Sequence, residues 1–373
     1  MSKNILHIAN NFTINVLYDE LISRLEKKNL NNMVIASTFT ISNSIYYYEV
    51  HQCLRSNNIL NRLRFKNKIK KLWHFTESKI NLANNIDLVH AHTLFSDGAI
   101  AYRAFQKYHI PYIVAIRNTD INVFFKYFFH LRRLGKQILK NASRIILISP
   151  IYLNKLKKYL TPEEFQNLSH KIEVIPNGIG DIWLNNPFKN TRSLHTPIRL
   201  IFCGSFDNNK NILRIIDAAN QINRTKSIEL KLIGVKPSQS DKYVESVRKT
   251  CSKSNIKTEI LERMPHKELI SHYRESDIFI MPSHTETFGL VYVEALSQGL
   301  PIIYTKREGF DGFFKDGTIG LGVNSHSTND IAINIEKIIE NYDFYSQQVA
   351  NTDLSQFSWD KIAQRYTEIY NTI

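Results

Sequence analysis

A chain of 373 residues is long for one ordinary α/β domain and suits two of about 150 to 200 residues, each able to bury its own core. Apolar residues make up 43% of it. No segment approaches the roughly 18 uninterrupted apolar residues of a membrane span, and Met1-Ser2-Lys3 runs into Ile5-Leu6-His7-Ile8 without a secretory signal, so a soluble, cytoplasmic protein is expected. The net charge of +14 is one-sided: residues 1–180 hold 25 Lys and Arg against 11 Asp and Glu, and the remainder is balanced at 23 each. The first half therefore presents a field that attracts a polyanion or an anionic membrane surface.

In chain order, the first half alternates short β-rich runs with amphipathic stretches, the pattern of βαβ units on a parallel sheet. Strands are predicted at 4–9, 32–38, 86–91, 111–117, 144–149 and 172–175. Between the first two, Val16, Leu17, Leu21, Ile22 and Leu25 recur at helical spacing. The basic residues Arg55, Arg62, Arg64, Lys66, Lys68, Lys70 and Lys71 interleave with Leu60, Leu63, Phe65, Ile69, Leu72 and Trp73. Such a stretch lies readily on an anionic bilayer, although a core face with solvated lysines has the same pattern. A second run, Phe124, Phe125, Tyr127, Phe128 and Phe129 followed by Arg132, Arg133 and Lys136, repeats the mixture.

Pro176-Asn177-Gly178 breaks the rhythm, and the polar stretch to about residue 196 reads as a linker. Strands resume at 198–202, 228–234, 256–261, 277–282 and 301–305. The last segment, Trp359 to Tyr370, carries Ile362, Tyr366, Ile369 and Tyr370 on one helical face and must dock somewhere. Two successive α/β sheets result, with no short-period repeat or low-complexity tract. Cys53, Cys203 and Cys251 are odd in number and lack metal-ligand spacing, so reduced, buried thiols are expected.

The most informative stretch is Asp277 to Pro301. Ile278-Phe279-Ile280-Met281 is a short buried strand, Pro282-Ser283 ends it, and Gly289 to Gln298 reads as a helix closed by Gly299 and Pro301. A strand-to-helix turn of this kind presents backbone N–H groups and the positive end of the helix dipole, where phosphates bind. Glu286 precedes the helix and Glu294 lies inside it. Glu294 is placed to accept hydrogen bonds from a ribose diol, and Glu286 to face what lies beyond the phosphates. Two glutamates alone say little, since solvated helix charges have the same spacing.

Context adds to this. The run Pro282-Ser283-His284-Thr285-Glu286-Thr287-Phe288-Gly289-Leu290-Val291-Tyr292-Val293-Glu294-Ala295, continued by Gly299-Leu300-Pro301, resembles the donor-site motif of glycosyltransferase family 4. Asp87-Leu88-Val89-His90-Ala91-His92, Val174-Ile175-Pro176-Asn177-Gly178-Ile179, the turn Gly204 to Lys210-Asn211, and Phe357-Ser358-Trp359 follow in the family's order. The resemblance implies an α/β protein of GT-B fold: two facing Rossmann-like domains, 1–178 for the acceptor and 179–355 for the nucleotide sugar, and a last helix, 356–373, crossing back to the first. By analogy Phe288, Gly289, Leu290 and Val291 offer amides to the distal phosphate, Glu294 holds the ribose, Glu286 binds sugar hydroxyls, and Lys210 balances diphosphate charge. A UDP-sugar is the favoured donor, with no cofactor.

Departures from the pattern carry information too. Ser205 stands where the family commonly has arginine, removing one phosphate cation for which Lys306 or Arg307 are candidate substitutes. Glu262 replaces a glycine before the base-binding loop, leaving Arg263 and Met264 as candidate base contacts, and Asn10-Asn11 replace glycines of the first turn. Arg117 stands where relatives place histidine, giving a permanent cation on the acceptor side together with Asn118, Asp120 and His92. Plainer roles are an Arg117–Asp120 structural bridge and a core position for His92.

No Asp-x-Asp occurs and no His or Cys pair stands at ligand spacing, so metal-independent catalysis by fixed amides and lysine is expected. The resemblance implies retention at the anomeric carbon. A glycan or lipid-linked acceptor in cell-surface polysaccharide assembly, at the inner face of the membrane, fits the basic first half. A nucleic-acid-binding role lacks a reading module. The same fold would also suit a non-catalytic partner subunit or glycan-binding module, and a nucleotide-sugar epimerase or hydrolase.

Overall fold

Runs such as Ile5–Ala9, Val34–Ala36 and Tyr112–Ile116 are buried along their whole length. Branched and aromatic residues of this kind pack best on a pleated surface covered on both faces. The computed structural model describes residues 2–10, 12, 16–38, 41, 46–54, 65–236 and 238–373. Asn11, Arg55, Leu60, Arg62, Leu63 and Arg64 lie outside the described residues. The chain divides into two units, Met1–Gly178 with Trp359–Ile373, and Ile179–Ser358.

The first unit is built on seven strands: β1 (Lys3–Ala9), β2 (Leu30–Thr38), β3 (Glu49–Leu54), β4 (Leu88–Ala91), β5 (Tyr112–Ile116), β6 (Arg144–Leu147) and β7 (Ile172–Val174), in the order β3-β2-β1-β4-β5-β6-β7. Every pairing is parallel, which requires crossover connections between strands. The second unit has six: β8 (Ile198–Cys203), β9 (Ile228–Val235), β10 (Lys257–Glu262), β11 (Ile278–Ile280), β12 (Ile302–Thr305) and β13 (Gly320–Val323), ordered β10-β9-β8-β11-β12-β13 and also wholly parallel. The strand order reverses between β1 and β4 in one sheet and between β8 and β11 in the other. In such sheets the crevice for ligands opens at the carboxyl ends of the strands on either side of the reversal.

All predicted strands fall on observed ones, while β3 and β13 went unread. Both are edge strands: Glu49–Leu54 is mostly half-exposed, with polar residues inside it, and Gly320–Val323 is four residues with two glycines. An edge strand buries too little to show a clean hydrophobic period.

The final helix, Trp359–Asn371, belongs to the first unit. Its Trp359, Ile362, Ala363, Tyr366, Ile369 and Tyr370 share one core cluster with Ile5, Leu21, Leu25, Leu88, Ile113 and Ile146, so it packs on helix Val16–Glu26 and the sheet face beneath. Lys3 Nζ donates to the Tyr370 carbonyl at 2.7 Å. At roughly 1.5–3 kcal/mol for each large apolar side chain buried, this stripe alone explains why the helix docks.

Candidate functional site

In the second unit, the site begins where β8 ends. The Asp207 side chain accepts the Lys210 N–H at 3.1 Å, closing a short turn over Asn208–Lys210. Asn211 then takes a left-handed conformation (φ 61°) that asparagine tolerates better than most residues. Its Nδ2 donates to the Pro282 carbonyl at 3.0 Å and the Ser325 carbonyl at 2.7 Å. Asn209 stitches this turn to the loop after β11: its carbonyl accepts from His284 N–H at 2.8 Å, and its side chain exchanges bonds with Thr285.

That stitching brings Lys210 to Glu286, Nζ to Oε2 at 2.7 Å, both side chains largely buried. The other Glu286 oxygen accepts the Thr287 N–H at 3.0 Å. The Glu286 backbone is pinned in turn, its N–H donating to Glu308 Oε2 and its carbonyl accepting from Gly309 N–H, each at 3.0 Å. Gly309 is required here, because a Cβ would stand 2.5 Å from the backbone of Thr287 and Phe288.

Gly289 (φ 86°) starts the helix Leu290–Ser297, which has no side-chain cap. In its first turn the Tyr292 N–H donates to the Gly289 carbonyl at 3.0 Å, which leaves the amides of Leu290 and Val291 without an intrahelical acceptor. Phe288 buries its ring and is left to act through its backbone. Glu294 is 6% exposed, and burial pushes its carboxyl up to about 7. Beside it, burial pushes the Cys203 thiol up to about 12, and that thiol feels the charges of Glu294, Arg263 and Lys210. Arg263 and Lys210 thus set two positive charges at the end of β8.

Other expected donor residues lie around this centre. Ser205 is exposed and donates to Asp207 Oδ2 at 2.6 Å, bracing the turn. Lys306 lies 3.7 Å from Asp316, and the Arg307 N–H donates to Asp311 Oδ2 at 2.6 Å from a left-handed backbone. Met264, half-buried, follows Arg263 on the loop after β10.

In the first unit, Arg117 directly follows β5. Its Nε donates to the His92 carbonyl at 3.2 Å and its Nη1 to Asn177 Oδ1 at 2.9 Å, and the guanidinium lies over Tyr18, 5.8 Å from the ring centre. A narrow cavity here is lined by Tyr18, Arg117, Asn177, Trp359 and Tyr366. Asp120 turns to backbone groups: its buried carboxylate accepts the N–H of Arg117 (2.9 Å), Leu94 (3.1 Å) and Phe95 (3.2 Å). Burial pushes it up to about 6. Asp120 is thereby an organiser of two loops. Asn118 accepts from Asn122. His92 has no exposed surface and stacks on His90, ring centres 4.0 Å apart. Sequence reasoning passed over His7 and Asp97, and noted Asn10 only as a replacement for glycine. Asn10 bonds Asp97 through both its backbone and its side chain, which gives a physical role to an asparagine in a turn where glycine is common.

The basic helix Phe65–Lys79 buries Ile69, Leu72, Trp73 and Thr76. Lys66, Lys70 and Lys71 are exposed, but Lys68 turns inward and donates to Ser96 Oγ at 2.9 Å. Phe65 meets Phe124 edge-on, so this helix adjoins the second aromatic run. There Phe125 is core, while Tyr127 (61% exposed) and Phe129 (66%) face outward beside Lys126 and Arg132. Among the described residues no helix is long and apolar enough to cross a membrane.

Two parallel Rossmann-like sheets, with a C-terminal helix on the first and a phosphate-suited turn on the second, define the GT-B class of architecture. The profile described as "Glycosyltransferase Family 4" matches residues 14–181, and "Glycosyl transferases group 1" matches residues 186–354. The chain belongs to this family and is a nucleotide-sugar-dependent glycosyltransferase. It is similar to an uncharacterized glycosyltransferase of Methanocaldococcus jannaschii, 26% identical over 78% of this chain and 77% of that protein. In fold it is similar to sucrose-phosphate synthase from Thermosynechococcus elongatus, with a TM-score of 0.71 at 17% identity, covering 99% of this chain and 98% of that one. The Anabaena protein HepE in complex with UDP-glucose has a TM-score of 0.68 at 14% identity, covering 99% of this chain and 100% of that one.

Proposed function

We propose that the second unit holds a nucleoside diphosphate sugar, a UDP-sugar by preference, and that the enzyme transfers the sugar with retention to a glycan or lipid-linked acceptor, without a catalytic metal. The observation that carries this reading is the Lys210–Glu286 pair at 2.7 Å beside the uncapped amides of Leu290 and Val291. A cation and N–H donors aimed at one place suit a diphosphate, and a carboxylate next to them suits sugar hydroxyls. The UDP-glucose complex of HepE supports the choice of base.

In this mechanism the diphosphate accepts bonds from the amides of Phe288 to Val291, and Lys210 leaves Glu286 to meet the developing phosphate charge. Glu286, still held by Thr287 N–H, then receives the sugar hydroxyls, and Glu294 receives the ribose diol. The bond from the anomeric carbon to the diphosphate oxygen breaks while the acceptor oxygen bonds the same face, and the leaving phosphate oxygen takes the acceptor's proton. Charge stabilisation by preorganised donors supplies the rate. Arg117 and Asn118 mark the acceptor side of the first unit.

The exposed Lys66, Lys70 and Lys71, with Tyr127 and Phe129 close by, support reversible binding to an anionic membrane surface. That fits an acceptor carried on lipid in surface-polysaccharide assembly and a place at the inner face of the cell membrane. The test is nucleotide release from UDP-, GDP-, ADP- and TDP-sugars, with and without lipid extract. UDP released only when acceptor is present is expected, with no gain from added Mg²⁺ or Mn²⁺. Equal release without acceptor would make the protein a hydrolase, and no release with any donor a non-catalytic partner.

A further inference from the structure

Glu286 is held from two sides, by the turn that carries Lys210 and by the loop after β12. That loop doubles back on itself. Arg307 takes a left-handed backbone (φ 63°), its N–H donates to Asp311 Oδ2 at 2.6 Å, and the Asp311 N–H donates to the Glu308 carbonyl at 2.7 Å. Aromatic packing then fixes the loop against the segment after β11: Phe310 lies 5.1 Å from Tyr292 and Phe313 lies 5.4 Å from Phe288, ring centre to ring centre. Phe288, Tyr292 and Phe310 are buried. A loop closed by its own side chain and locked by buried rings keeps its geometry without help from a ligand.

At its tip this loop grips one residue. Glu308, half-buried, accepts the Glu286 N–H on Oε2, and the adjacent Gly309 N–H donates to the Glu286 carbonyl, each at 3.0 Å. Both polar groups of the Glu286 backbone are thus taken by two consecutive residues. A hydrogen bond from an amide to an ionised carboxylate is about twice as strong as one between neutral groups, so Glu308 supplies the firmer half of the grip.

The Glu286 side chain is held less permanently. Its Oε1 accepts the Thr287 N–H at 3.0 Å and its Oε2 accepts from Lys210 Nζ at 2.7 Å. In the proposed mechanism Lys210 turns to the diphosphate and Oε2 becomes available to the sugar. From that moment the backbone grip and the Thr287 bond decide where Oε2 points.

We propose, on the reading that Glu286 receives the sugar hydroxyls, that Glu308 is a positioning residue which fixes the orientation of Glu286 and thereby sets the preference among donor sugars. A carboxylate held in one orientation accepts from a hydroxyl in one place, and a site built for that hydroxyl leaves its own polar group unpaired when the hydroxyl points elsewhere. Released from the grip, Glu286 would follow hydroxyls in several positions, so rate and selectivity fall together. The nucleotide, bound through the helix amides and Glu294, would be unaffected.

The test measures nucleotide release by the full chain from UDP-glucose, UDP-galactose, UDP-N-acetylglucosamine and GDP-mannose with lipid extract, together with calorimetric affinity for UDP. Glu308→Ala should lower turnover by about 10²-fold, the cost of a misplacement of about 1 Å, and flatten the preference among the sugars while UDP affinity stays as in wild type. Glu308→Gln, which keeps an accepting oxygen at the same reach, should recover most of both losses. Glu308→Asp keeps the charge but falls one methylene short; it should behave like the alanine variant, and serves if that variant does not fold. In the Glu286→Ala background Glu308→Ala should cost nothing further, because it acts through Glu286. Wild-type turnover and sugar preference in Glu308→Ala and Glu308→Asp, with turnover lost in Glu286→Ala, overturn the role of Glu308 alone, as does a double variant that loses the full product of the single losses. Wild-type turnover in Glu286→Ala overturns the sugar assignment on which this role rests.

Discussion

At the carboxyl ends of β8 and β11 the second unit gathers Lys210, Glu286 and the first amides of a helix, all within reach of solvent. At the corresponding ends of β1 and β4 the first unit gathers His7, His90 and His92 with no exposure. Topology is shared, since both sheets reverse strand order at these points. The chemistry differs because the first reversal is roofed by Tyr18, Tyr366 and Tyr370, whereas a turn bonded mostly to itself covers the second. Charged groups survive where water or a polar ligand solvates them. Where aromatic rings cover the strand ends, neutral imidazoles are what the site tolerates.

This contrast is broken most directly at the charged end. Lys210→Ala and Glu286→Ala should each lower turnover by about 10²–10³, the usual cost of removing one preorganised electrostatic group. Because the two side chains bond each other, the double variant should lose less than the product of the single losses. Steady-state rates of the three variants measure this, and turnover near wild type in all of them sinks the donor assignment of the second unit.

Glu294 sharpens the comparison, as a buried carboxyl at the otherwise solvated end. Glu294→Ala should weaken nucleotide binding by about 1–3 kcal/mol through lost ribose hydrogen bonds. Since burial places its ionisation at about 7, wild-type affinity, read by calorimetry, should fall as pH drops below about 7. In the free enzyme a raised carboxyl favours the fold fully below its ordinary range, and that contribution is lost as pH rises through about 7. Glu294→Gln should therefore gain on wild type in thermal unfolding at pH 8 and lose that advantage near pH 5. A constant difference between the two proteins would show that Glu294 does not titrate in this range.

In the first unit, Arg117→Lys keeps the charge but loses the planar fork that bonds the His92 carbonyl and Asn177 together. A loss of about 1–2 kcal/mol in stability is expected, read by denaturant unfolding; an unchanged midpoint would show the fork to be idle. The smallest effects belong to the outer face. Lys66→Gln, Lys70→Gln and Lys71→Gln should each weaken co-sedimentation with anionic vesicles by about 1 kcal/mol, less so at high salt, without changing nucleotide affinity. Wild-type protein that ignores such vesicles would remove the membrane from the proposed function.

What the amino-acid sequence determined by itself is local and contiguous. Apolar runs such as Ile5–Ala9 and Ile278–Ile280 marked the strands, and Pro282 to Glu294 showed a phosphate-suited turn because strand, loop and helix follow one another without interruption. The stripe Ile362, Tyr366, Ile369, Tyr370 announced a helix that had to dock, but only the fold placed it on the helix Val16–Glu26. The rest depended on strand order. Lys210 meets Glu286 across 76 residues of chain, and His7 meets His92 across 85. In the sequence the histidines are one alternating pair and one distant residue. The parallel register of β1 with β4 makes them a cluster. Asp120 likewise looked like a partner for the Arg117 side chain and proved to be an acceptor of three backbone N–H groups. Periodicity records which face of an element is buried. What that face meets is settled only when the elements pack, because non-local contacts form between residues whose separation leaves no trace in local pattern.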